Sequence, residues 1–152
     1  MHDTPPPNAP RTHPTLVTVL GYAGLLPFAA LALAVWWPGS AHRAPLAFAL
    51  LAYGATIASF LGAIHWGLAM RDKVGAAPLY LWGVSPSLLA WLALLAPVAW
   101  GLLLLALLLL ACYAVDRRVY PHHQLQGWLP MRLRLTGVAS ASCLTGALGL
   151  LQ

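Results

Sequence analysis

Residues Pro78–Val115 read PLYLWGVSPSLLAWLALLAPVAWGLLLLALLLLACYAV and contain no charged side chain over 38 positions. A helix needs about 20 apolar residues to cross a hydrocarbon core about 30 Å thick, because it rises about 1.5 Å per residue. The stretch is therefore just long enough for two crossings joined by a tight turn. Ala96-Pro97 is the natural turn, because proline lacks an amide donor and suits the first position of a new helix. The sequence predicts helices over residues 78–96 and 97–115.

Three other stretches have the length of a spanning helix, and they predict helices over about 16–37, 45–70 and 129–151. The predicted fold is therefore all-α: a polytopic membrane helix bundle with five transmembrane helices, in one domain over residues 16–152. Residues 1–15 read MHDTPPPNAPRTHPT, with five prolines and no aliphatic cluster. That composition predicts a disordered cytoplasmic tail.

The composition supports a membrane protein. Hydrophobic residues make up 61% of the chain and charged residues 7%, against about 45–50% and about 25% in soluble domains. A protein with this few charged side chains could not cover its surface with groups that water solvates. The excess of apolar residues must therefore face lipid. The net charge of +5 is too small and too scattered for a nucleic-acid surface, and it fits loops beside anionic headgroups. We expect the lipid bilayer as a partner, and no nucleic acid.

The basic residues predict the orientation. Five crossings place seven of the eight Lys and Arg residues on one side: Arg11, Arg71, Lys73, Arg117, Arg118, Arg132 and Arg134. Arg43 lies opposite, and a single crossing through Pro78–Val115 would divide the charges three against five. Cytoplasmic loops carry the excess of Lys and Arg in membrane proteins. The sequence thus favours five crossings, with a cytoplasmic N-terminus and a periplasmic C-terminus.

Aromatic residues fall near both ends of the predicted helices. Trp36, Trp37 and Trp100 lie at the outer ends, and Tyr80, Trp82, Tyr120 and Trp128 lie at the inner ends. Amphipathic rings are enriched at the two membrane–water interfaces. We therefore expect these seven side chains to form interfacial belts.

Small residues predict where helices approach closely. The second predicted helix carries Gly54, Ala58, Ser59, Gly62, Ala63 and Gly67, and the fifth carries Gly137, Ala141, Ser142, Gly146 and Gly149. Lipid provides no hydrophobic drive between helices, so close packing of small residues must supply it. We predict that both sets pack within the chain. The alternative is a face for homo-oligomers.

His65 is an ionisable residue within a predicted span, about 9 Å from Arg71 at about 1.5 Å per residue. An ionisable group in a membrane is costly, so it suggests a binding or proton site. The structural interpretation is a neutral histidine that shares hydrogen bonds with hydroxyl groups. Hydroxyls at a similar depth belong to Tyr22, Ser85, Ser87, Tyr113 and Thr136. We also expect Asp116 to pair with Arg132 or Arg134, which would join the fourth and fifth helices.

The sequence predicts neither a metal site nor a cofactor. His122 and His123 are adjacent, with no carboxylate or thiol at ligand spacing. Cys112 and Cys143 lie in apolar runs and are expected to be buried thiols. The chain has no glutamate and no GxSxG, Walker or GxGxxG motif. We therefore expect no enzymatic activity; a Ser85 or Ser87 dyad with His65 is the remaining enzyme alternative.

Several strings resemble a known family. They are LGYAGLLPF from Leu20, YGATIASFLGAIHWG from Tyr53, SPSLLAWLAL from Ser85, Asp116, and LPMRLRLTGVA from Leu129. They are similar to the bacterial domain-of-unknown-function family 3429, whose eukaryotic relatives include transmembrane protein 69. The resemblance implies a multi-pass protein of the bacterial inner membrane and brings no activity. The resemblance also implies that certain polar residues in these strings are candidates for a site: Tyr53, Ser59, His65, Trp66, Asp116 and Arg134.

Two functional hypotheses follow. The first is a non-enzymatic accessory or assembly protein of a larger membrane complex, because the chain is small and its predicted helices carry small-residue faces. The second is a binding or transport bundle for a lipid, quinone or proton. Its candidate ligand-binding residues are Tyr22, Tyr53, His65, Ser85, Ser87, Asp116, Arg132 and Arg134.

Overall fold

The computed structural model describes residues 14–37, 42–72 and 77–151, and these residues form helices without any strand. The α-helices are α1 (Pro14–Ala23), α2 (Leu26–Val35), α3 (Arg43–Asp72), α4 (Ala77–Leu95), α5 (Val98–Val119) and α6 (Leu129–Gly149). Two short 3₁₀ turns, Tyr120–His123 and Gln126–Trp128, join α5 to α6. The all-α prediction is therefore confirmed, and the predicted bounds lie within a few residues of the observed ones.

Four segments of the described chain are long and apolar enough to cross a membrane: Thr15–Val35, Arg43–Arg71, Ala77–Leu95 and Val98–His123. They match the first four predicted spans. Helix α6 is not among them, because two arginines lie in its first two turns and hydroxyl residues follow them. The described residues thus contain four candidate spans, and the crossing by α6 stays a prediction.

The first predicted helix is interrupted, which the sequence prediction missed. Pro27 follows the break between α1 and α2 and offers no N–H to the carbonyl four residues earlier. The hydroxyl of Tyr53 donates a hydrogen bond of 2.9 Å to the carbonyl oxygen of Gly24 at the break. A broken helix is tolerated at membrane depth where a neighbouring side chain satisfies its backbone in this way.

Helix α1 packs more loosely than α2. Its side chains from Thr15 to Leu20 are all exposed, whereas α2 buries Phe28, Ala32 and Val35 against α3 and α6. Helix α1 therefore lies at the outside of the bundle, where Gly21 near its end still contacts Met131 of α6.

The turn at Ala96-Pro97 is confirmed. Helix α4 ends at Leu95, and α5 begins at Val98 after an extended Pro97 with φ −50° and ψ 135°. Next to this turn, the backbones at Gly101 and Ala93 lie very close together. A methyl group added at Gly101 would overlap the carbonyl oxygen of Ala93. The uncharged stretch of 38 residues is therefore a helical hairpin.

Helix ends meet in an antiparallel order. Gly21 of α1 touches Met131 at the start of α6, and Gly149 at the end of α6 touches Val35 and Trp36 after α2. The indole Nε1 of Trp36 also donates to the carbonyl oxygen of Thr145 at 3.0 Å. The first and last segments of the chain thus run side by side in opposite directions.

Only part of each small-residue set serves packing. Gly54, Ala58 and Gly62 are buried, and a methyl group at Gly62 would overlap the carbonyl oxygen of Gly83 on α4. Ala63 and Gly67 on the same helix are exposed. On α6, Ser142, Gly146 and Gly149 are buried, whereas Gly137 and Ala141 are exposed. The prediction of intrachain packing is confirmed for the buried members.

Part of the predicted tail lies outside the described residues. Residues 1–13 belong to that part, and residues 14 and 15, which were included in the tail, begin α1. Arg11 and Lys73, two of the residues that carry the orientation prediction, also lie outside the described residues.

Candidate functional site

His65 lies inside the bundle, two turns before the end of α3. Its side chain is 1% exposed, and its ring centroid lies 6.4 Å from that of Tyr120 in the turn after α5. The side chain therefore points into the bundle, within the span that the sequence predicts. Its neighbours are Asp116 near the end of α5 and Tyr120 in the turn after α5, rather than the serines of α4.

Asp116 is the centre of the polar cluster. It is 1% exposed near the end of α5. Arg132, in the first turns of α6, donates from Nε to Asp116 Oδ2 at 2.8 Å and from Nη2 to the same oxygen at 2.5 Å. The predicted ion pair between the fourth and fifth predicted helices is thus found with Arg132. We call His65, Asp116 and Arg132 the polar triad.

His65 faces the second oxygen of this carboxylate. Its Nε2 lies 3.5 Å from Asp116 Oδ1 and has no hydrogen-bond partner among the described residues. Its Nδ1 lies 3.3 Å from the carbonyl oxygen of Leu61, and a carbonyl only accepts, so this contact places a proton on Nδ1. A neutral ring then turns a lone pair towards the carboxylate. One proton on either Nε2 or Oδ1 converts that contact into a hydrogen bond.

A cavity of about 630 Å³ adjoins the polar triad. Aliphatic and aromatic side chains from α1, α2, α3, α5 and α6 line most of it, and Leu20 and Phe60 at its rim are 62% and 65% exposed. Ligand sites commonly have volumes of about 300–1,000 Å³ and few polar groups. Because these side chains are exposed, the apolar space opens to the surface of the bundle.

The polar lining of the cavity is concentrated at one place. Tyr120, Arg132 and Thr136 all line it, and Tyr120 is 3% exposed. Thr136 is also 3% exposed, and its Oγ1 has no hydrogen-bond partner among the described residues. A buried hydroxyl without a partner costs about 1–3 kcal/mol. The hydroxyl is closed to solvent as it stands, so a ligand group would recover this free energy by bonding to Thr136 after its side chain rotates.

The other candidate residues lie elsewhere. Tyr53 bonds to Gly24 at the helix break, and Arg134 is exposed, with Nη1 3.3 Å from the hydroxyl of Tyr22. Ser85 and Ser87 donate to carbonyl oxygens of their own helix, those of Leu81 and Val84, at 2.8 Å each. Self-bonded serines of this kind are ordinary helix features. In the described structure the serines and Arg134 therefore bond outside the polar triad, and their part in a ligand site stays a prediction.

Sequence reasoning missed two features of the site. It placed Tyr120 in the interfacial belt, whereas the side chain is buried beside His65. It also missed the contact between His65 and Asp116, which lie on different helices. A signal was present in Asp116 itself, since a carboxylate that directly follows an apolar helical stretch needs partners on other helices if it is buried.

Metal ligands do not cluster in the described part of the chain, where no three His, Cys, Asp or Glu side chains come together. Cys112 and Cys143 are buried free thiols in the apolar core. The groups beside the cavity that could contact a ligand are the guanidinium of Arg132 and the hydroxyls of Tyr120 and Thr136. One further proton can bind between His65 and Asp116.

Comparison with known proteins places the chain in a family. Transmembrane protein 69 of Xenopus tropicalis is 44% identical over 79 residues, which cover 50% of this chain and 31% of that protein. Transmembrane protein 69 of Mus musculus is 40% identical over 76 residues, which cover 48% and 31%. The chain thus matches about a third of the length of these curated relatives, and no solved structure matches it. The names of the relatives and the candidate spans identify a multi-pass membrane protein.

The family assignment covers most of the chain. A family described as protein of unknown function (DUF3429) matches residues 13–148, a range that includes α1 to α5, the polar triad and nearly all of α6. We conclude that the chain belongs to the DUF3429 family.

Proposed function

We propose that this protein binds an amphiphilic molecule of the bilayer in the cavity beside the polar triad. The observation that supports it is the combination of a lipid-facing apolar space with a buried, unpartnered Thr136 hydroxyl and an arginine at one place in its wall. An acyl or isoprenoid chain would fill the apolar part, and a polar head would reach Thr136 and Arg132. This binding needs no reaction, so the proposal is a non-enzymatic role.

The proposal includes five crossings in the bacterial inner membrane. Helix α6 is 21 residues long, which at about 1.5 Å per residue is close to the thickness of the hydrocarbon core. Its antiparallel contact with α1 and α2 supports a fifth crossing. Arg132 inside that crossing is compensated by Asp116. The excess of basic residues at the end that carries the polar triad supports a cytoplasmic N-terminus and a periplasmic C-terminus.

A compartment reporter on each terminus tests the number of crossings. The proposal expects the two termini to report opposite sides of the membrane. Reporters on the same side would contradict the fifth crossing.

Ligand identification from the purified protein tests the binding role. In a mild detergent, native mass spectrometry is expected to find about one amphiphile per chain, since the cavity has the size of one ligand site. Leu135→Trp fills the cavity that Leu135 lines, and it should remove the bound mass. Leu133→Trp is the matched control, because Leu133 lies two residues away, is 53% exposed and does not line the cavity. Equal retention in both variants would refute the site.

An accessory role beside a larger membrane complex remains a second prediction. The exposed small residues of α3 and α6, among them Gly67 and Gly137, would allow another helix to approach closely. The same purification tests it, because a stoichiometric larger protein is expected to co-purify. A dimer of this chain instead would support the homo-oligomer alternative.

A further inference from the structure

The chemical class of the ligand follows from the charges at the polar end of the cavity. We propose that the ligand is an anionic amphiphile, with a carboxylate or phosphate head, and that it binds together with one proton taken up between His65 and Asp116. This inference rests on the proposed function, because it assumes that the cavity beside the polar triad is a ligand site.

The first step concerns the donors of Arg132. A guanidinium carries five N–H donors, and Asp116 takes two of them with a single oxygen. The Tyr120 hydroxyl also accepts from Arg132. Arg132 lines the cavity, so its remaining N–H groups can bind a further acceptor there. A planar, two-oxygen anion such as a carboxylate, or a phosphate, is the group that a guanidinium binds best. Thr136 can donate a further hydrogen bond to the same head.

The second step concerns the net charge of the polar triad. With an ionised Asp116, a cationic Arg132 and a neutral His65, the charges cancel. An anionic head would then leave the site with a net negative charge in an apolar wall, which is unfavourable. One proton bound by the pair of His65 and Asp116 raises the charge to +1, and an anion neutralises it. Binding of the anion and binding of the proton therefore favour each other.

The third step is that the proton position already exists. His65 Nε2 and Asp116 Oδ1 face each other at 3.5 Å, and Nε2 has no other partner among the described residues. The titratable and charged groups that surround this contact are Arg132 on α6, Cys112 on α5, and Tyr120 and His123 in the turn after α5. Cys112 and Tyr120 are neutral as thiol and phenol in the neutral pH range. The net charge of the polar triad therefore depends on whether His65 and Asp116 share a bound proton.

The experiment is a titration of the purified protein in detergent with dodecyl sulfonate, dodecanoate and dodecanol. The sulfonate keeps its charge at every pH used, so any proton taken up belongs to the protein. The binding enthalpy is measured by calorimetry in two buffers of different ionisation enthalpy, and the difference between the two values gives the number of protons taken up. We expect the anions to bind about tenfold more tightly than dodecanol, a difference of about 1.4 kcal/mol. We also expect the sulfonate to bind more tightly at pH 6 than at pH 8.

Variants separate the two parts of the inference. His65→Gln removes the proton position, so sulfonate binding should lose its pH dependence and its proton uptake. His122→Gln is the control, because His122 is exposed in the turn and outside the polar triad. Arg132→Lys keeps the charge and loses the fork, and it should weaken dodecanoate more than dodecanol. If His65→Gln does not fold, the pH dependence and the proton count of the unmodified protein still decide the proton part.

The outcomes are distinct. Equal affinity for dodecanol and the anions overturns the anionic inference and leaves the proposed amphiphile site intact. Binding of none of the three, with no co-purified amphiphile, overturns both. Proton uptake that persists in His65→Gln overturns the role of His65. Competition with phosphatidylglycerol in nanodiscs separates the sources: displacement of dodecanoate indicates a phospholipid phosphate, and no displacement indicates a free carboxylate.

Discussion

Helix α3 meets its neighbours in two different ways within one turn. At Gly62 its backbone lies against the backbone of Gly83 on α4, so closely that neither helix has room for a side chain there. At His65 it presents an ionisable ring to Asp116 on α5, beside Arg132 on α6 and the cavity. The first contact gains free energy from close packing alone. The second places polar groups where packed apolar side chains would cost less free energy, and this cost is the reason we propose a ligand site there.

The largest expected effect comes from removing the carboxylate. Asp116→Leu leaves Arg132 without its partner in a site where its side chain is 12% exposed, and breaking such a pair costs about 3–5 kcal/mol. The unfolding free energy in detergent, from chemical denaturation followed by circular dichroism, measures the loss. The double variant Asp116→Leu/Arg132→Leu is the control and should recover most of it. A double variant as unstable as the single one would show that the loss does not come from the unpaired charge.

The next effect tests the packing contact. Gly62→Ala places a methyl group on the Gly83 carbonyl oxygen, so α3 and α4 must separate, at a cost of about 1–3 kcal/mol. Gly67→Ala is the matched control on the same helix, since nothing lies within 4 Å of an added methyl group there. Thermal unfolding should rank Gly62→Ala well below Gly67→Ala. Equal midpoints would mean that the two helices do not touch at Gly62.

A smaller effect is expected at the helix break. Tyr53→Phe removes the hydrogen bond to Gly24, and a lost hydrogen bond of this kind costs about 1 kcal/mol. Hydrogen exchange should rise around the break while α4 keeps its protection. Tyr113→Phe on α5 is the control, because its hydroxyl has no hydrogen-bond partner among the described residues. Unchanged exchange at the break in Tyr53→Phe would show that the hydroxyl does not support it.

The smallest effect is expected at Arg134. Arg134→Gln removes an exposed contact to Tyr22, and exposed polar pairs contribute little to stability. The unfolding midpoint should therefore stay unchanged, in contrast to the variants of Asp116. A clear drop would place Arg134 in a contact that matters for the fold.

Much of the fold could be predicted because its determinants are local. A charge-free stretch of 38 residues with a central proline gives a helical hairpin, since length, hydropathy and the missing amide donor all act within that stretch. The break at Gly24 was missed although Pro27 is just as visible in the sequence. Prolines inside membrane helices are often accommodated, and here Tyr53, a residue from another helix, stabilises the break.

The candidate site was only partly predictable because its determinants are contacts between helices that are distant in the sequence. Asp116 needed a cationic partner, but Arg132 and Arg134 differ by two positions and so point to different sides of α6. Only the packing of α6 against α5 selects Arg132. Ser85 and Ser87 have suitable chemistry and depth, yet α4 bonds them to its own backbone.

The sequence by itself determined that this protein is a multi-pass helical membrane protein, and where most of its helices begin and end. These properties depend on how many apolar residues follow one another and where proline and charge interrupt them. The tertiary structure decided that His65, Asp116 and Arg132 meet, that Tyr120 and Thr136 join them, and that a cavity opens beside them. These contacts depend on how each helix is rotated about its axis, and the packing of its neighbours sets that rotation.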